Sequence, residues 1–472
     1  MEEFVILVDG NDNPIGKEEK VKCHLPNGKL HRAFTALIFN KEGKLLLTRR
    51  SDSKMLWPGE WDGTVASHPR EGETYVSSAE RRMPEEIGIT CQMNYVNKFE
   101  YHVPYKEIGS ENEVCGTLVG VVDDFDESSL IKNEISAIKW ISPDELKTSE
   151  SIKKNATFVN KFLRKELKGE PKQLYDASAH LIIHGGKRLR PYLVLKSCKV
   201  LGGKQADAIA AASSVEMIHN FTLVHDDIMD NDEMRHGVPT THNKFDMPLA
   251  ILAGDVLYSK AYHTISSKSK LSPNHTTQLV TKLSKACVEI CEGQVDDVKL
   301  AENKRIPTEQ EYIKMIEKKT AVLFEVSCAM GAICAKRKEK DVKNLSSFGR
   351  NLGIAFQITD DLIGIMGDSK VTKKPVGNDI REGKKSLPIL LAIRKARGND
   401  KKKILKVFGK SKAAKKDVQT AVNTIRSLGI EEEVRKKALQ YATKATKSLD
   451  SYSGSDKNEM VSLLDFVVKR SL

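Results

Sequence analysis

Two aspartate clusters stand far apart in the strongly helical second part of the chain, and they constrain its fold more than any other feature. The first contains Asp226, Asp227 and Asp230, and the second contains Asp360 and Asp361. Asp226 and Asp230 are four residues apart, so on a helix they share one face. Mg2+ favours sites built from a few carboxylates, several waters and the phosphate oxygens of a substrate. The pattern therefore predicts a helical bundle in which two acidic faces hold a diphosphate.

The change in hydrophobic pattern along the chain predicts two domains, since 472 residues are too many for one ordinary core. Residues 1–152 have a mixed α/β pattern, in which Ala33–Asn40 and Lys44–Arg50 predict a hairpin and Tyr75–Ile87 predicts a helix. Residues 153–472 are predicted to be all α. The other clear strand and helix patterns are Glu113–Val122, Ile135–Ile141, Asn155–Leu167, Leu174–Ile183, Ala206–Asp230 and Ser346–Ile365.

The composition, with 40% hydrophobic and 30% charged residues, is typical of a soluble globular protein. No run approaches the ~18 apolar residues that a membrane span needs, and the first residues lack the pattern of a signal peptide, so we expect a cytoplasmic protein without stable membrane insertion. The eight cysteines are scattered and are predicted to be free thiols. The net charge of +12 lies partly in lysine-rich stretches without interleaved aromatic residues, which argues against nucleic-acid binding.

Several short motifs follow one another in the second domain. They are GGKRLRP (185–191), HDDIMD (225–230), RHGVPT (235–240), GQ (293–294), KT (319–320), FQITDD (356–361) and GNDIREGKK (377–385). In this order they resemble the short-chain isoprenyl diphosphate synthases, the geranylgeranyl and farnesyl diphosphate synthases, whose fold is a helical bundle. Terpene cyclases share the first aspartate motif, but their second motif carries Asn or Asp, Ser or Thr, and Glu. The Asp-Asp pair therefore favours chain elongation.

The resemblance implies a role for each matching residue. Up to three Mg2+ ions would neutralise the leaving allylic diphosphate. Their implied ligands are Asp226, Asp227, Asp230, Asp360 and Asp361. The implied contacts of the allylic diphosphate are Arg235, Lys319 and Lys384, and those of isopentenyl diphosphate are Lys187, Arg190 and His219. Thr320 and Gln357 would face the developing allylic cation.

Two positions depart from the family pattern. His236 stands where the family often has a second arginine, and histidine is a weaker, pH-dependent phosphate ligand. Gly364 stands where the second cluster usually ends in an aspartate, and Asp368 is a candidate to compensate through water. We expect neither change to abolish activity, because Asp360 is the position that contacts metal.

The length of the product is predicted from the residues just before the first cluster. In the resembled family these residues close the channel for the growing tail. Phe221 lies five residues before Asp226, and Thr222 lies four residues before it. One aromatic residue followed by a small one implies a tail of twenty carbons, so we expect geranylgeranyl diphosphate.

The first domain resembles a type I isopentenyl diphosphate isomerase of the Nudix superfamily. The resemblance rests on three histidines, on the Glu-Asn-Glu stretch at 111–113 and on a degenerate Nudix box from Ser67 to Gly88. The implied ligands of a divalent metal (Zn2+, Mn2+ or Mg2+) are His24, His31, His68, Glu111 and Glu113, with Glu86 at a second Mg2+ beside the substrate. The implied diphosphate contacts are Lys20, Arg50, Lys54 and Arg82, and the implied proton-handling residues are Tyr101 and Glu113.

One departure leaves three functions open for this domain. Ala66 stands where the isomerases have a catalytic cysteine, and alanine cannot transfer a proton, so water, Ser67 or another group would serve one face of the substrate. The alternatives are an isomerase with an altered proton relay, a Nudix-type pyrophosphohydrolase and a silent binding module. An active isomerase would supply dimethylallyl diphosphate, the first allylic acceptor of the synthase. The resemblance of the second domain to the synthases also implies a homodimer or a higher homo-oligomer.

Overall fold

The computed structural model describes residues 3–123, 134–302, 305–367, 377–410 and 412–468. The chain divides into two compact units, Met1–Leu146 and Lys147–Leu472. The division falls inside a helix, Pro143–Glu166, as does the boundary between residues 152 and 153 that the sequence predicts. The residue at which one functional domain ends and the other begins stays a prediction.

The first unit is built on a mixed sheet of nine strands among the described residues. The strands are β1 (Phe4–Val8), β2 (Pro14–Glu19), β3 (His31–Asn40), β4 (Leu45–Arg50), β5 (Trp61–Asp62), β6 (Val65–Ser67), β7 (Asn94–Tyr105), β8 (Gly109–Val122) and β9 (Ile135–Ile141). The central strand β3 pairs in parallel with β8 from His31 opposite Glu113 onwards. On the other edge of β8, Glu113 lies opposite Tyr101 of β7. The register therefore places a histidine, a glutamate and a tyrosine side by side.

Two helices accompany this sheet, α1 (Lys20–His24) and α2 (Tyr75–Ile87). The bounds of α2 are those that the sequence predicts, although Pro84 lies inside the helix. Thr74 caps the first turn by accepting a hydrogen bond from the Ser77 amide, and Gly88 ends the helix in the left-handed conformation. The predicted hairpin is also present, since β3 and β4 pair at Phe39 and Leu45.

In the part of the second unit that the structure describes, the regular structure is helical apart from a short hairpin of β10 (Met234–Arg235) and β11 (Val238–Pro239). Its first helices are α3 (Pro143–Glu166), α4 (Lys172–His184), α5 (Leu189–Val200), α6 (Gln205–Met229), α7 (Thr241–Lys244), α8 (Met247–Lys268), α9 (Pro273–Glu302), α10 (Glu309–Ile316), α11 (Val322–Cys334) and α12 (Glu339–Met366). The later helices are Asn378–Glu382, Leu387–Lys395, Gly398–Val407, Lys415–Ser427, Ile430–Lys447 and Ser455–Val468.

The core of the second unit positions the two aspartate clusters. Every residue of α11 except Glu325 is buried, and this apolar helix packs against both α6 and α12. The first cluster lies at the end of α6, and the second lies in the last two turns of α12. A π-helical turn, Glu317–Ala321, precedes α11 and carries Lys319 and Thr320. Among the described residues, none of the helices combines the length and the apolar character that crossing a membrane requires.

Candidate active sites

The first aspartate cluster lies near Lys319, which is paired with an aspartate of helix α9. Lys319 Nζ lies 2.7 Å from Asp297 Oδ2 of α9. Burial raises the pKa of Asp226 to about 6 and also raises the pKa of Asp230, while the charge of Lys319 acts against both shifts. Lys384 likewise opposes the shift of Asp230, which places this lysine from beyond the second cluster near the first. The carboxylates and both lysines therefore share one charged region.

Two of the predicted metal ligands have protein partners instead. Asp227 is fully buried, and Arg235 donates a hydrogen bond to its Oδ1. Asp361 accepts a hydrogen bond from Tyr312 Oη at 2.6 Å and another from Gln357 Nε2 at 2.7 Å. These contacts favour positioning roles for Asp227 and Asp361.

A chain of hydrogen bonds fixes the amide that is expected to face the cation. Because Gln357 donates to Asp361 through Nε2, its Oε1 is left as an acceptor, and Thr320 donates to it at 2.8 Å. Thr320 belongs to the π-helical turn, and such turns are common at functional sites. The turn can pack closely against α9 because Gly293 has no side chain. A Cβ there would lie 2.8 Å from the Lys318 carbonyl carbon and closer still to the Lys319 amide nitrogen.

The predicted isopentenyl diphosphate contacts line a cavity of about 560 Å³. Arg190 Nη1 lies 3.1 Å from His219 Nε2, and the guanidinium stacks 4.4 Å above the ring of Phe324. Burial lowers the pKa of Arg190 to about 10 and lowers the pKa of His219 well below its usual value. The same cavity is lined by Lys187, His236 and Asp360. The structure thus groups His236 with the isopentenyl residues, together with one aspartate of the second cluster.

The short helix Asn378–Glu382, which follows the second cluster in the sequence, carries two carboxylates that pair with Lys384. Lys384 Nζ lies 3.4 Å from Asp379 Oδ1 and 3.0 Å from Glu382 Oε2. Burial would lower the pKa of Lys384, but these two carboxylates raise it. Asp368, the residue that the sequence offered as a substitute for the missing aspartate, lies outside the described residues.

The predicted channel residues contact aromatic side chains. The Phe221 ring lies 4.7 Å from the ring of His225 and 5.3 Å from that of Tyr258, measured between centroids. Tyr258 in turn lies 5.0 Å from Tyr262. Thr222 donates a hydrogen bond to the His219 carbonyl at 2.8 Å. An aromatic group from α8 therefore stands beside the residue expected to limit the tail.

Sequence reasoning missed Asp297, Tyr312 and the buried pair of Arg188 with Glu216. Arg188 Nη1 lies 3.0 Å from Glu216 Oε1 and donates to the Gly185 carbonyl, and Arg188 Nη2 donates to the Ile182 carbonyl. These contacts shape the GGKRLRP loop from within. Asp297 had a signal, because it lies four residues after Gly293 and so shares its helix face. Tyr312 lacked a local signal, since its partner Asp361 is remote in sequence.

In the first unit the three predicted histidines meet Glu113. His24, His31, His68 and Glu113 each offer a ligand atom, and these atoms lie within 4.8 Å of one another. The Nδ1 atoms of His24 and His31 lie 2.7 Å and 2.8 Å from backbone carbonyls, which leaves both Nε2 atoms for a metal. His31 Nε2 and both ring nitrogens of His68 are buried without a hydrogen-bond partner. This set of donors fits a divalent cation; Glu111 lies outside it.

Glu113 also faces the predicted tyrosine. Tyr101 Oη donates to Glu113 Oε2 at 2.6 Å and lies 3.0 Å from Glu111 Oε2. Burial, reinforced by Glu113, raises the pKa of Glu111 to about 7 and raises the pKa of Tyr101 as well. For His68, burial lowers the pKa to about 4, so its ring is neutral and suited to metal binding.

A cavity of about 490 Å³ opens beside this cluster and is lined by Lys20, Arg50 and Lys54. Each predicted diphosphate contact of the unit is paired with a carboxylate. The pairs are Lys20 with Glu3, Arg50 with Asp62, Lys54 with Glu134 and Arg82 with Glu86. Glu86 is buried, and burial raises its pKa.

Ala66 and its neighbour Ser67 both line the same cavity, but their side chains differ in exposure. Ala66 is exposed and lies opposite Thr35 in the sheet, whereas Ser67 is buried. Side chains alternate along a strand, so Ser67 shares its face with Val65, a core residue. The strand therefore presents the alanine side chain on its exposed face, while the buried serine side chain lies on the face that packs against the core.

Comparison with known proteins covers both units. The polyprenyl synthetase family model matches residues 171–425, and the Nudix domain model matches residues 29–164. The geranylgeranyl pyrophosphate synthase of Geoglobus acetivorans is 41% identical over 324 residues, which are 68% of this chain and 99% of that protein.

Solved structures agree with this assignment. The geranylgeranyl pyrophosphate synthetase of Pyrococcus horikoshii is similar with a TM-score of 0.65 and 38% identity, covering 69% of this chain and 99% of that one. The synthase of Corynebacterium glutamicum, complexed with isoprenyl diphosphate and magnesium, has a TM-score of 0.60 and 27% identity over 69% and 99% of the two chains. The predicted fold classes of both parts are confirmed. The chain therefore belongs to the polyprenyl synthetase family of prenyltransferases and carries a Nudix domain ahead of the synthase.

Proposed function

We propose that the second unit condenses isopentenyl diphosphate with allylic diphosphates to make geranylgeranyl diphosphate. The observation that carries this is the shared charged region in which Asp226, Asp230, Lys319 and Lys384 influence one another. The cavity with Arg190 is also lined by Asp360 of the second cluster. The charged region is suited to an allylic diphosphate with its metals, and the cavity with Arg190 is suited to a second diphosphate.

Asp226, Asp230 and Asp360 would hold Mg2+, which when bound supplies positive charge to the leaving diphosphate. Their carboxylates fit a hard cation that prefers oxygen ligands. The magnesium complex of the Corynebacterium glutamicum synthase supports this choice of metal.

The residues of the chain orient the two substrates. Lys319 and Arg235 are held at the first cluster by Asp297 and Asp227, so each presents its remaining donors to the allylic diphosphate. Gln357 keeps its Oε1 towards the allylic carbon because its Nε2 is bound to Asp361. A partial negative charge at that point stabilises the cation as the carbon–oxygen bond breaks. The electron pair of that bond leaves with the diphosphate, and the isopentenyl double bond attacks the allylic carbon to form the new carbon–carbon bond. The proton that the product then loses passes to the departed diphosphate.

The product length is proposed from the aromatic contacts of Phe221. Its ring and that of Tyr258 close the space between α6 and α8. Incubation of the full chain with dimethylallyl diphosphate, isopentenyl diphosphate and Mg2+, followed by mass analysis, tests the proposal. We expect a twenty-carbon diphosphate; a fifteen- or twenty-five-carbon main product contradicts the proposed length and leaves the condensation intact.

We propose that the first unit isomerises isopentenyl diphosphate to dimethylallyl diphosphate. The observation that carries this is the double role of Glu113, which faces His31 and His68 through Oε1 and Tyr101 through Oε2. A divalent metal bound there would anchor the carboxylate. The pair of Tyr101 and Glu113 can then move a proton on one face of the substrate.

Water is the proposed proton carrier on the opposite face, because Ala66 has no proton to give and Ser67 shares a strand face with the core. The full chain carrying Asp226→Asn, in which condensation is disabled, should be incubated with isopentenyl diphosphate and a divalent metal. Dimethylallyl diphosphate is the expected product. Release of the monophosphate indicates a pyrophosphohydrolase, and no turnover indicates a binding module.

We also propose a homodimer of the synthase. Ile251, Leu252 and Tyr258 of α8 and Val288 and Val295 of α9 are apolar and exposed, which is typical of a surface that meets a partner. Sedimentation equilibrium should give twice the mass of the chain, and replacement of Leu252 by Glu should shift it to the monomer.

A further inference from the structure

The last helix that the structure describes, Ser455–Val468, packs against α5, which begins within the GGKRLRP motif. Four of its apolar side chains are buried in the main core cluster of the second unit, and these are Met460, Leu463, Leu464 and Val467. Burial of several large apolar side chains strongly favours one packed arrangement. The last helix therefore has a fixed position on the core.

A buried cation ties the first turn of this helix to α5. Lys196, whose side chain is 3% exposed, lies 2.7 Å from Asp456 Oδ1 and 2.6 Å from Glu459 Oε2. Tyr192 Oη donates a hydrogen bond to the same Glu459 oxygen at 3.2 Å. Separating a buried charge from its partners is strongly unfavourable, so these contacts hold the two helices together.

The other end of the last helix reaches the GGKRLRP motif. Phe466 comes ten residues after Asp456, which is about 15 Å along a helix. Its ring is half-buried against the core, and Lys187 Nζ lies 5.0 Å from the ring centroid. An ammonium group over an aromatic face at this distance is attracted by the negative charge of the face. The helix anchored at Lys196 thus places an aromatic ring beneath Lys187.

Lys187 is a residue for which such a contact has a consequence. It is exposed at the cavity that Arg190 and His219 also line. An exposed lysine samples many rotamers, so ordering it on a ligand costs conformational entropy. A ring that already holds the ammonium reduces this cost, and the N–H groups that point away from the ring can donate to a phosphate. Arg190 is placed in the same manner over the ring of Phe324.

We propose that Phe466 is a positioning residue for isopentenyl diphosphate, because its ring holds the Lys187 ammonium where the diphosphate binds. The inference rests on the proposed synthase activity of the second unit. Since Phe466 acts through Lys187, it should affect the binding of isopentenyl diphosphate, and neither the chemical step nor the binding of the allylic substrate. The last helix then takes part in substrate binding as well as in the fold.

Steady-state kinetics of the full chain with Mg2+ test the proposal, in a Glu113→Gln background that disables the proposed isomerase. Phe466→Leu keeps an apolar side chain but removes the aromatic face. KM for isopentenyl diphosphate should therefore rise about fivefold, which corresponds to about 1 kcal/mol. kcat and KM for dimethylallyl diphosphate should not change, as expected for lost binding of one substrate. Phe466→Tyr retains the ring and should retain KM.

Two further variants separate the cation contact from helix packing. In a Lys187→Ala background, Phe466→Leu should cause no further rise in KM, because the ring acts on that ammonium. A trifluorinated phenylalanine at position 466 keeps the shape of the ring but weakens the charge of its face, so KM should rise as it does in Phe466→Leu. Val461→Ala is the matched control, because it shortens another half-buried apolar side chain of the same helix and should leave KM unchanged.

The inference is overturned if the fluorinated ring leaves KM for isopentenyl diphosphate unchanged, if Val461→Ala raises KM equally, or if the effects of Phe466→Leu and Lys187→Ala add. Titration calorimetry with isopentenyl diphosphate makes the same comparison without turnover. A full chain that makes no prenyl product, but binds isopentenyl diphosphate more tightly than Phe466→Leu does, refutes the proposed function and supports the role of Phe466.

Discussion

Each unit has a proposed site for a diphosphate, and each departs from the family pattern that it resembles at a position expected to carry chemistry, but the two departures differ in kind. The second unit lacks a carboxylate at Gly364, where the Asp379 carboxylate of another helix occupies the space that a Cβ would need. The first unit lacks a proton donor at Ala66, and Ser67 beside it shares a strand face with the core. Electrostatic interactions act over several ångströms, so a charge can be supplied from a neighbouring element. Proton transfer requires a donor within hydrogen-bond reach, so it depends on one position.

The largest effect is expected from Asp226→Asn. Loss of this ligand should reduce kcat/KM of condensation by about a thousandfold, since stabilisation of charge on the leaving group is the main catalytic term. Steady-state assays with dimethylallyl and isopentenyl diphosphates measure it. Asp207→Asn, in the first turn of the same helix, should leave the rate unchanged. A loss of less than about tenfold in kcat/KM would show that Asp226 is not a ligand of the metal.

Ala66→Cys tests whether the first unit is limited by its missing proton donor. A thiol facing the cavity restores a proton donor, and isomerisation should rise by about a hundredfold, within the range of general acid–base catalysis. The matched control is Ser67→Cys, which places the same thiol on the other face of β6 and should give no increase. An equal gain in both variants would show that the position on the strand does not matter.

Phe221→Ala should change the product more than the rate. Removing the ring opens space between α6 and α8, so the main product should lengthen by one isoprene unit. Thr222→Phe places a second aromatic residue next to it and should shorten the product to fifteen carbons. Mass analysis of the diphosphates checks both. An unchanged twenty-carbon product in both variants would show that the tail is limited elsewhere.

His236→Arg should have the smallest effect. Burial, followed by the charges of Arg235 and Arg188, lowers the pKa of His236, so its ring is neutral at neutral pH. As the pH falls below the ordinary histidine range the ring becomes protonated and binds a diphosphate more strongly, so KM for isopentenyl diphosphate should decrease from about pH 7 to about pH 5. Arginine is charged throughout, so the variant should show a KM lower by about threefold and nearly independent of pH. Equal pH profiles would exclude His236 from the site.

Local patterns predicted most of the fold. The helix Tyr75–Ile87 was placed with its observed bounds because a capping threonine and a glycine mark its ends. Helix α12 begins earlier than the predicted Ser346, since most residues of its first turns from Glu339 are polar and so carry a weaker apolar signal. Residues whose partners are remote in sequence were not predicted. Tyr312 of α10 donates a hydrogen bond to Asp361 of α12, and no local sequence pattern indicates that contact.

The sequence by itself determined the chemistry that the chain has available: the two aspartate clusters, the basic motifs, the three histidines and the alanine at 66. Short-range spacing on helices and strands is enough to show which of these share a face. Only the tertiary structure decided which carboxylates are engaged by protein donors, as for Asp227 and Asp361, and which carboxylate stands beside Gly364. Those outcomes depend on the packing of separate helices, because burial and hydrogen bonding are set by residues that meet only when the chain is folded.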